Sequence, residues 1–252
     1  MIVKKVCKTK KTIISIDELK RQIKAILLDE YSSSRFYKYI YFLKNRGYIL
    51  SIKKNLFYLK RNPEEEENLD EIIDRFYWNI LKNHIQENFG NKYFIWWVKA
   101  LEILQNNFSI PDEINIINPY KNSKQTIVKD RFVNNKVYTS KTQEKLTFYN
   151  KIKKWVQNLH INWVSFRVCG PEQAILEALY SMKDTEQNYI TEIVRKYLRK
   201  NHKKLDYRMF EYFIRLWKYH TSINKMYQIS KSLHPSLEEK LKDIIKRCSF
   251  IL

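Results

Sequence analysis

Only three glycines, Gly47, Gly90 and Gly170, are spread through 252 residues, and that scarcity limits the loops the chain can build. A phosphate-cradling loop of the form G-x-x-x-x-G-K-[ST], or a G-x-G-x-x-G turn, needs clustered glycines so that bare backbone can approach the phosphate. Neither can be made here, which excludes nucleotide-cofactor enzymes of those classes. A polymerase-like nucleotidyltransferase is expected to show a Gly-Ser motif with paired acids downstream, and no Gly-Ser occurs. With 44% hydrophobic and 15% aromatic residues, the chain has material for a substantial core, at a length that suits one large or two small domains.

The second constraint is charge. Lys and Arg number 47 against 27 Asp and Glu, a formal net charge of +20. The excess is not uniform: residues 1–62 carry net +12, residues 63–182 net zero, and residues 183–252 net +8. The neutral middle, made under the same compositional pressure, argues that the basic ends serve a purpose, and nucleic acid is the partner such ends suit. Asn62-Pro63-Glu64-Glu65-Glu66-Glu67-Asn68 separates the first two blocks. Proline stops regular structure there and four like charges repel, so residues 63–68 read as an acidic linker between a domain at 1–62 and a second at 69–252.

Within the first block, Ser15-Ile16-Asp17-Glu18 is a capping box that starts a helix at Ile16, with Leu19, Ile23, Ile26 and Leu27 as its apolar stripe. A second helix is expected from the Ser32-Ser33-Ser34 cap. Phe36, Ile40 and Leu43 form its inner face, and Gly47 closes it in the left-handed conformation. Its outer face combines Ser33, Ser34, Arg35, Tyr37, Lys38, Tyr41, Lys44 and Arg46. Two short β-prone runs, Tyr48–Ile52 and Leu56–Leu59, flank the turn Lys53-Lys54-Asn55. Helix, turn, helix, hairpin is the order of a winged helix-turn-helix. There the second helix reads the major groove, with Arg35 and Lys38 the residues for base edges, while Lys53, Lys54 and Asn55 at the hairpin tip meet the backbone. The same pattern also describes a solvated helix and hairpin used for protein contact; the local +12 favours double-stranded DNA.

Beyond the linker, helices are expected over 68–84 and 97–104 with a short strand Tyr93–Ile95 between them. Residues 111–168 change character: Ile114–Ile117, Thr126–Val128, Lys136–Thr139, Leu146–Phe148 and Trp163–Val168 are short β-rich runs that predict a small, largely antiparallel sheet. From about residue 171 helices return: one opened by Pro171 with Ile175, Leu179 and Met182 inward, one capped by Asp206 with Met209, Phe213, Leu216 and Trp217 inward, and one behind a Ser236–Glu239 capping box with Leu241, Ile244 and Ile245 inward. The fold class expected is α+β.

No catalytic constellation is visible. Cys7, Cys169 and Cys248 offer neither a disulfide framework nor a metal pair, which suits a reducing cytoplasm. The lysines at 4, 5, 8, 10 and 11 are followed by no apolar segment of secretory type, and the longest apolar runs, such as Tyr93–Val98, fall far short of the roughly 20 residues of a membrane span. His84, His160, His202, His220 and His234 lack metal-ligand spacing, with His202 and His220 read as surface or capping groups; no metal and no cofactor are expected. A nuclease would need strand-borne carboxylates beside a lysine, and Asp112-Glu113 and Glu239-Lys240 do not have that arrangement.

The element order resembles the AbiEi family of antitoxins, from type IV toxin-antitoxin and abortive-infection (antiviral defence) systems. Two segments carry the resemblance. Phe36 to Tyr58 is similar to that family's winged-helix pattern of Leu, basic residue, Gly, apolar residue and an aromatic in the wing. Val168-Cys169-Gly170-Pro171-Glu172-Gln173-Ala174-Ile175-Leu176-Glu177-Ala178-Leu179 is similar to its strand-to-helix P-E-R-A-L-L-D segment, with Gln173 for Arg and Glu177 for Asp. The wing has Lys53-Lys54-Asn55 where an Arg-Gly turn is usual. The resemblance implies a transcriptional repressor that binds operator DNA of its own operon, and a second domain that neutralises a nucleotidyltransferase-like toxin, usually without stable contact. It also implies a second basic surface, for which Arg195, Lys196, Arg199, Lys200, Lys203 and Lys204 are the densest cluster; a solvated helix end accounts for them equally well. The alternatives from other classes are a replication or partition protein and a nuclease of a mobile element.

Overall fold

The computed structural model describes residues 12–137, 147–217 and 219–248. The lysines at 4, 5, 8, 10 and 11, Cys7, Tyr138, Thr139 and Leu146 lie outside them, as do the side chains of Leu216 and Trp217. The chain is α+β and forms two compact units, Met1–Asn88 with Thr126–Arg131, and Phe89–Gln125 with Phe132–Leu252.

The first unit begins with β1 (Ile13–Ser15), a strand too short to be read from the sequence, which leads directly into α1 (Ile16–Leu27). As expected, the Ser15 hydroxyl accepts from the Glu18 amide at 3.3 Å and starts the helix. After a 3-10 turn at Leu28–Glu30, α2 (Ser33–Asn45) starts under the Ser32 hydroxyl, which accepts from the Arg35 amide at 3.2 Å. Strands β2 (Ile49–Lys53) and β3 (Leu56–Leu59) follow as an antiparallel hairpin, and β1 pairs antiparallel with the far edge of β3, giving the order β1-β3-β2. Asn55, at φ 65, makes the tight turn between the strands. The two helices close over this sheet with Ile14, Leu19, Ile23, Phe36, Ile40, Leu43, Ile49, Phe57 and Leu59 as core.

The acidic segment at 63–68 lies inside this unit and is docked rather than free. Lys60 donates through Nζ to the Glu65 carbonyl, and Tyr58 donates its hydroxyl to Glu67 Oε1 at 2.8 Å. Gly47 packs so closely that a Cβ there would meet the Pro63 carbonyl oxygen at 3.0 Å, and its φ is +70. The contact-defined division falls instead at residues 88 and 89, because α3 (Leu69–Phe89) belongs with the first unit up to Asn88. Its Phe76 ring lies 5.6 Å from that of Tyr58. Gly47→Ala is therefore expected to cost about 1–2 kcal/mol from the left-handed backbone alone, with more from the Pro63 contact, read as a lowered urea midpoint.

The second unit is built on a sheet of mixed direction, not the largely antiparallel one expected. Its order is β6-β7-β5-β4-β9-β8, from β4 (Phe94–Ile95), β5 (Glu113–Ile117), β6 (Ser123–Val128), β7 (Arg131–Lys136), β8 (Gln157–Ile161) and β9 (Val164–Val168). The β5–β7 and β4–β9 pairings are parallel; β4–β5 and β8–β9 are antiparallel. Two strand expectations shift. The strand sought at 136–139 sits at Arg131–Lys136, where its register with β5 puts Val133 against Ile114, and the Val137 amide leaves the ladder to bond Asn122 Oδ1 at 2.6 Å. The run at 146–148 gives way to a helix, α5 (Thr147–Ile152). The turn of the β6–β7 hairpin falls in the first unit, where Lys129 pairs with Asp70 and Arg131 with Asp74 of α3.

Among the described residues six further helices belong to the unit: α4 (Trp97–Leu104), α6 (Pro171–Tyr180), α7 (Gln187–Asn201), α8 (Tyr207–Trp217), α9 (His220–Ser230) and α10 (Pro235–Arg247). Pro171 occupies the first turn of α6 as expected. That helix is the centre of the bundle, packed against α4, α7, α8 and α9, and every residue from Glu172 to Leu179 is buried. Asp206 Oδ1 accepts from the Arg208 amide at 3.0 Å at the start of α8. Ser236 does not cap α10: the helix starts two residues earlier than that box predicts, at Pro235, with His234 as cap. Ile175, Leu179, Met209, Phe213, Leu241, Ile244 and Ile245 are buried as expected; Met182 lies past the end of α6 and is half-buried.

Candidate nucleic-acid interface

Ser33 to Asn62 holds eight Lys or Arg and no Asp or Glu, and α2 turns one side of that segment to solvent. With Phe36, Ile40 and Leu43 inward, the helical period puts Ser34, Lys38, Tyr41 and Asn45 at the centre of the outward face. Arg35 and Phe42 flank them on one side, Tyr37 and Lys44 on the other. All eight are exposed, as are Ser33 and Arg46. Tyr37 and Tyr41 are 55% and 68% exposed, and the Tyr37 ring makes an edge contact with that of Phe36 at 5.2 Å. Phe42, 45% exposed, was not among the expected site residues; its position off the inner stripe is the signal that would have found it.

The cations on this face differ in how they are held. Arg35 donates through Nη1 to Glu30 Oε2 at 2.9 Å and to the Glu30 carbonyl at 3.1 Å, which ties the start of α2 to the turn before it. Lys44 lies 5.2 Å from the Phe57 ring centre, and Arg46 lies 5.8 Å from that of Phe42. At the hairpin tip Lys54 and Asn55 are exposed. Lys53 is not available in the way the sequence suggested. It is half-buried, its Nζ 3.3 Å from Nδ1 of His84 on α3, and burial lowers its pKa against the opposing pull of Glu87. A bulge between Ser51 and Lys53 turns it from the regular alternation of β2.

The second basic cluster lies on the other unit. Arg195, Lys196, Arg199 and Lys200 share the outward face of the last turns of α7, opposite buried Ile190, Val194, Tyr197 and Leu198, and Lys203 and Lys204 follow in the 3-10 turn His202–Lys204. Arg195 pairs with Glu192 at 2.8 Å; the other five are exposed. The helix C-terminus by itself favours such cations. His202, expected as a surface or capping group, caps the C-terminus of α7 through its amide and is buried, stacked on His234 with ring centres 4.3 Å apart.

Among the described residues no group of three or more His, Cys, Asp or Glu is placed to hold a metal, and no helix is long and apolar enough to cross a membrane. Cys169 is buried, and burial, with Glu177 nearby, pushes its thiol well above the usual value, which makes it inert as a nucleophile at neutral pH.

No protein-family model matches the chain, and no curated protein matches it in sequence. Among solved structures it is similar to the crystal structure of RV2827C protein from Mycobacterium tuberculosis, at a TM-score of 0.50 and 11% sequence identity, over 99% of this chain and 76% of that one. The likeness is one of fold.

Proposed function

We propose that the first unit is a winged helix-turn-helix and that the protein binds duplex DNA in a sequence-specific way, with α2 in the major groove and the β2–β3 turn against the backbone. The observation that carries this reading is the acid-free outward face of α2, with Ser34, Lys38, Tyr41 and Asn45 at its centre. Lysine, serine and asparagine supply hydrogen bonds to base edges, and the tyrosine rings supply apolar contact. The cations around them supply phosphate contacts. The resemblance to AbiEi-family antitoxins extends the reading to a cytoplasmic repressor of its own operon that counteracts a nucleotidyltransferase-like toxin. Support comes from the Gly170-Pro171 segment, which runs from strand β9 into the central helix α6 as that resemblance implies.

The test is retardation of duplex DNA from upstream of the protein's own gene, titrated over salt. Specific binding is expected, with Lys54→Ala lowering the salt slope by about one. Lys53→Ala is expected to leave the slope unchanged, because that ammonium faces His84. Equal affinity for unrelated DNA, or magnesium-dependent cleavage of plasmid by the pure protein, overturns the reading.

A further inference from the structure

Far from α2 in sequence, the turn of the β8–β9 hairpin, Asn162-Trp163, holds a tryptophan that is 99% exposed. Both turn residues have positive φ, 47 and 67. This is the backbone of a two-residue hairpin turn whose second position favours glycine, and an aromatic side chain there is strained. The indole stands in solvent at the tip of the hairpin. Trp78 and Trp96 are buried and Trp97 and Trp155 half-buried, so among the tryptophans whose side chains are described Trp163 is the exposed one.

The hairpin has two faces. Ile161, Val164, Phe166 and Val168 point into the unit and are buried, while the opposite face pairs His160 with Ser165 and Asn158 with Arg167. At the base of that outer face Arg167 donates to the Tyr149 hydroxyl at 3.1 Å and to the Asn91 carbonyl. Tyr149 is also within electrostatic reach of Tyr120 and Lys92. Lys92 Nζ lies 5.6 Å from the Tyr120 ring centre, and Tyr120 is 54% exposed. From Thr147 to Pro171 there are four Lys or Arg and no Asp or Glu. The result is a strip with an exposed ring at each end and cations between them. Arg167 follows Trp163 by four residues, at most roughly 13 Å along the chain, the length of about four stacked nucleotides of one strand.

We propose that this strip binds single-stranded nucleic acid, with Trp163 and Tyr120 stacking on unpaired bases and Arg167 and Lys92 holding the phosphates between them. Ring faces stack on any base, and a cationic track follows any backbone, so the surface is tolerant of sequence. The charge complementarity is with a polyanion, and the spaced flat rings are with its bases. The inference is independent of the duplex-binding reading, since it uses the second unit only.

The test uses the full chain, with oligo(U) and oligo(dT) of roughly twelve nucleotides and phosphatidylserine vesicles as the contrasting anionic surface. Both oligonucleotides are expected to quench the red-edge fluorescence of the exposed indole. Trp163→Ala is expected to weaken their binding about tenfold, and Lys92→Ala to lower the salt slope by about one. Trp163→Gly, which relieves the backbone, is expected to lose the same affinity without lowering the melting temperature, so lost binding is not lost folding. A variant with Lys38→Ala and Lys44→Ala, weakened on duplex DNA, is expected to keep single-strand binding. A stronger response to oligo(U) than to oligo(dT) identifies RNA as the ligand, and the reverse identifies DNA. Affinity within about twofold of wild type in both Trp163 variants, or an indole that answers to vesicles and not to oligonucleotides, overturns the proposal.

Discussion

Lys99→Ala is expected to destabilise the second unit by about 3–5 kcal/mol, one of the largest effects available to a single substitution in this chain. Lys99 and Glu102 are 6% and 8% exposed, one helical turn apart on α4, with Nζ 2.6 Å from Oε2. The ammonium also donates to the Ser109 carbonyl at 2.5 Å and its hydroxyl at 3.1 Å, and Tyr189 donates to the other Glu102 oxygen. Removing the cation leaves a carboxylate buried without its counter-charge, and that desolvation cost sets the magnitude. Replacing both residues, Lys99→Met with Glu102→Leu, is expected to recover most of the loss, because two charges no longer need solvation. Urea unfolding of the three variants checks it. A Lys99→Ala protein within about 1 kcal/mol of wild type would mean that the pair is hydrated, as surface pairs are.

On the other unit, Lys38→Ala, Lys44→Ala and Arg46→Ala together are expected to lower duplex affinity on the order of a hundredfold at moderate salt and to reduce the salt slope by about three. Arg35 is left out of the set because its guanidinium is already engaged by Glu30. All three substituted residues are exposed, so the fold is expected to survive and the melting temperature to hold. Unchanged salt dependence would separate α2 from any phosphate contact and remove the basis of the duplex-DNA reading.

The two predictions rest on features of different legibility. The outward face of α2 follows from local pattern. A serine before an amphipathic run sets the helix start, its period sets which residues point away from Phe36, Ile40 and Leu43, and Gly47 sets its end. Phe42 and the exposure of Tyr41 come from the same wheel. The Lys99–Glu102 pair could not be read that way. At three residues apart on a helix it looks like any surface ion pair, and it is Tyr189 at the start of α7 and the loop at Ser109 that cover it. Glu172 and Glu177 were legible as members of a helix and not as buried acids. Their partners, the Asp206 amide and the Tyr219 hydroxyl, lie 34 and 42 residues away.

The strands divide along the same line. The β2–β3 hairpin and β9 are marked by β-branched and aromatic runs beside turn residues. Strand β1 is three residues long and exists through its pairing with β3, more than forty residues on. Strand β8, with Gln157, Asn158 and His160, has too little apolar content to announce itself. Whether neighbours run parallel is a property of connections, and so the mixed direction of the larger sheet had no local sign.

Sequence alone determined what neighbouring residues decide between themselves: the starts of α1, α2 and α6, the inner and outer faces of α2, the β2–β3 hairpin, and the separation of charge into basic ends and a neutral middle. Tertiary structure decided what depends on distant partners: the docking of 63–68 against Gly47, the diversion of Lys53 to His84, the burial of the α4 and α6 charges, and the presentation of Trp163. The physical reason is range. Period and capping act over one or two helical turns, whereas desolvation and strand pairing depend on which distant segment arrives to exclude the water.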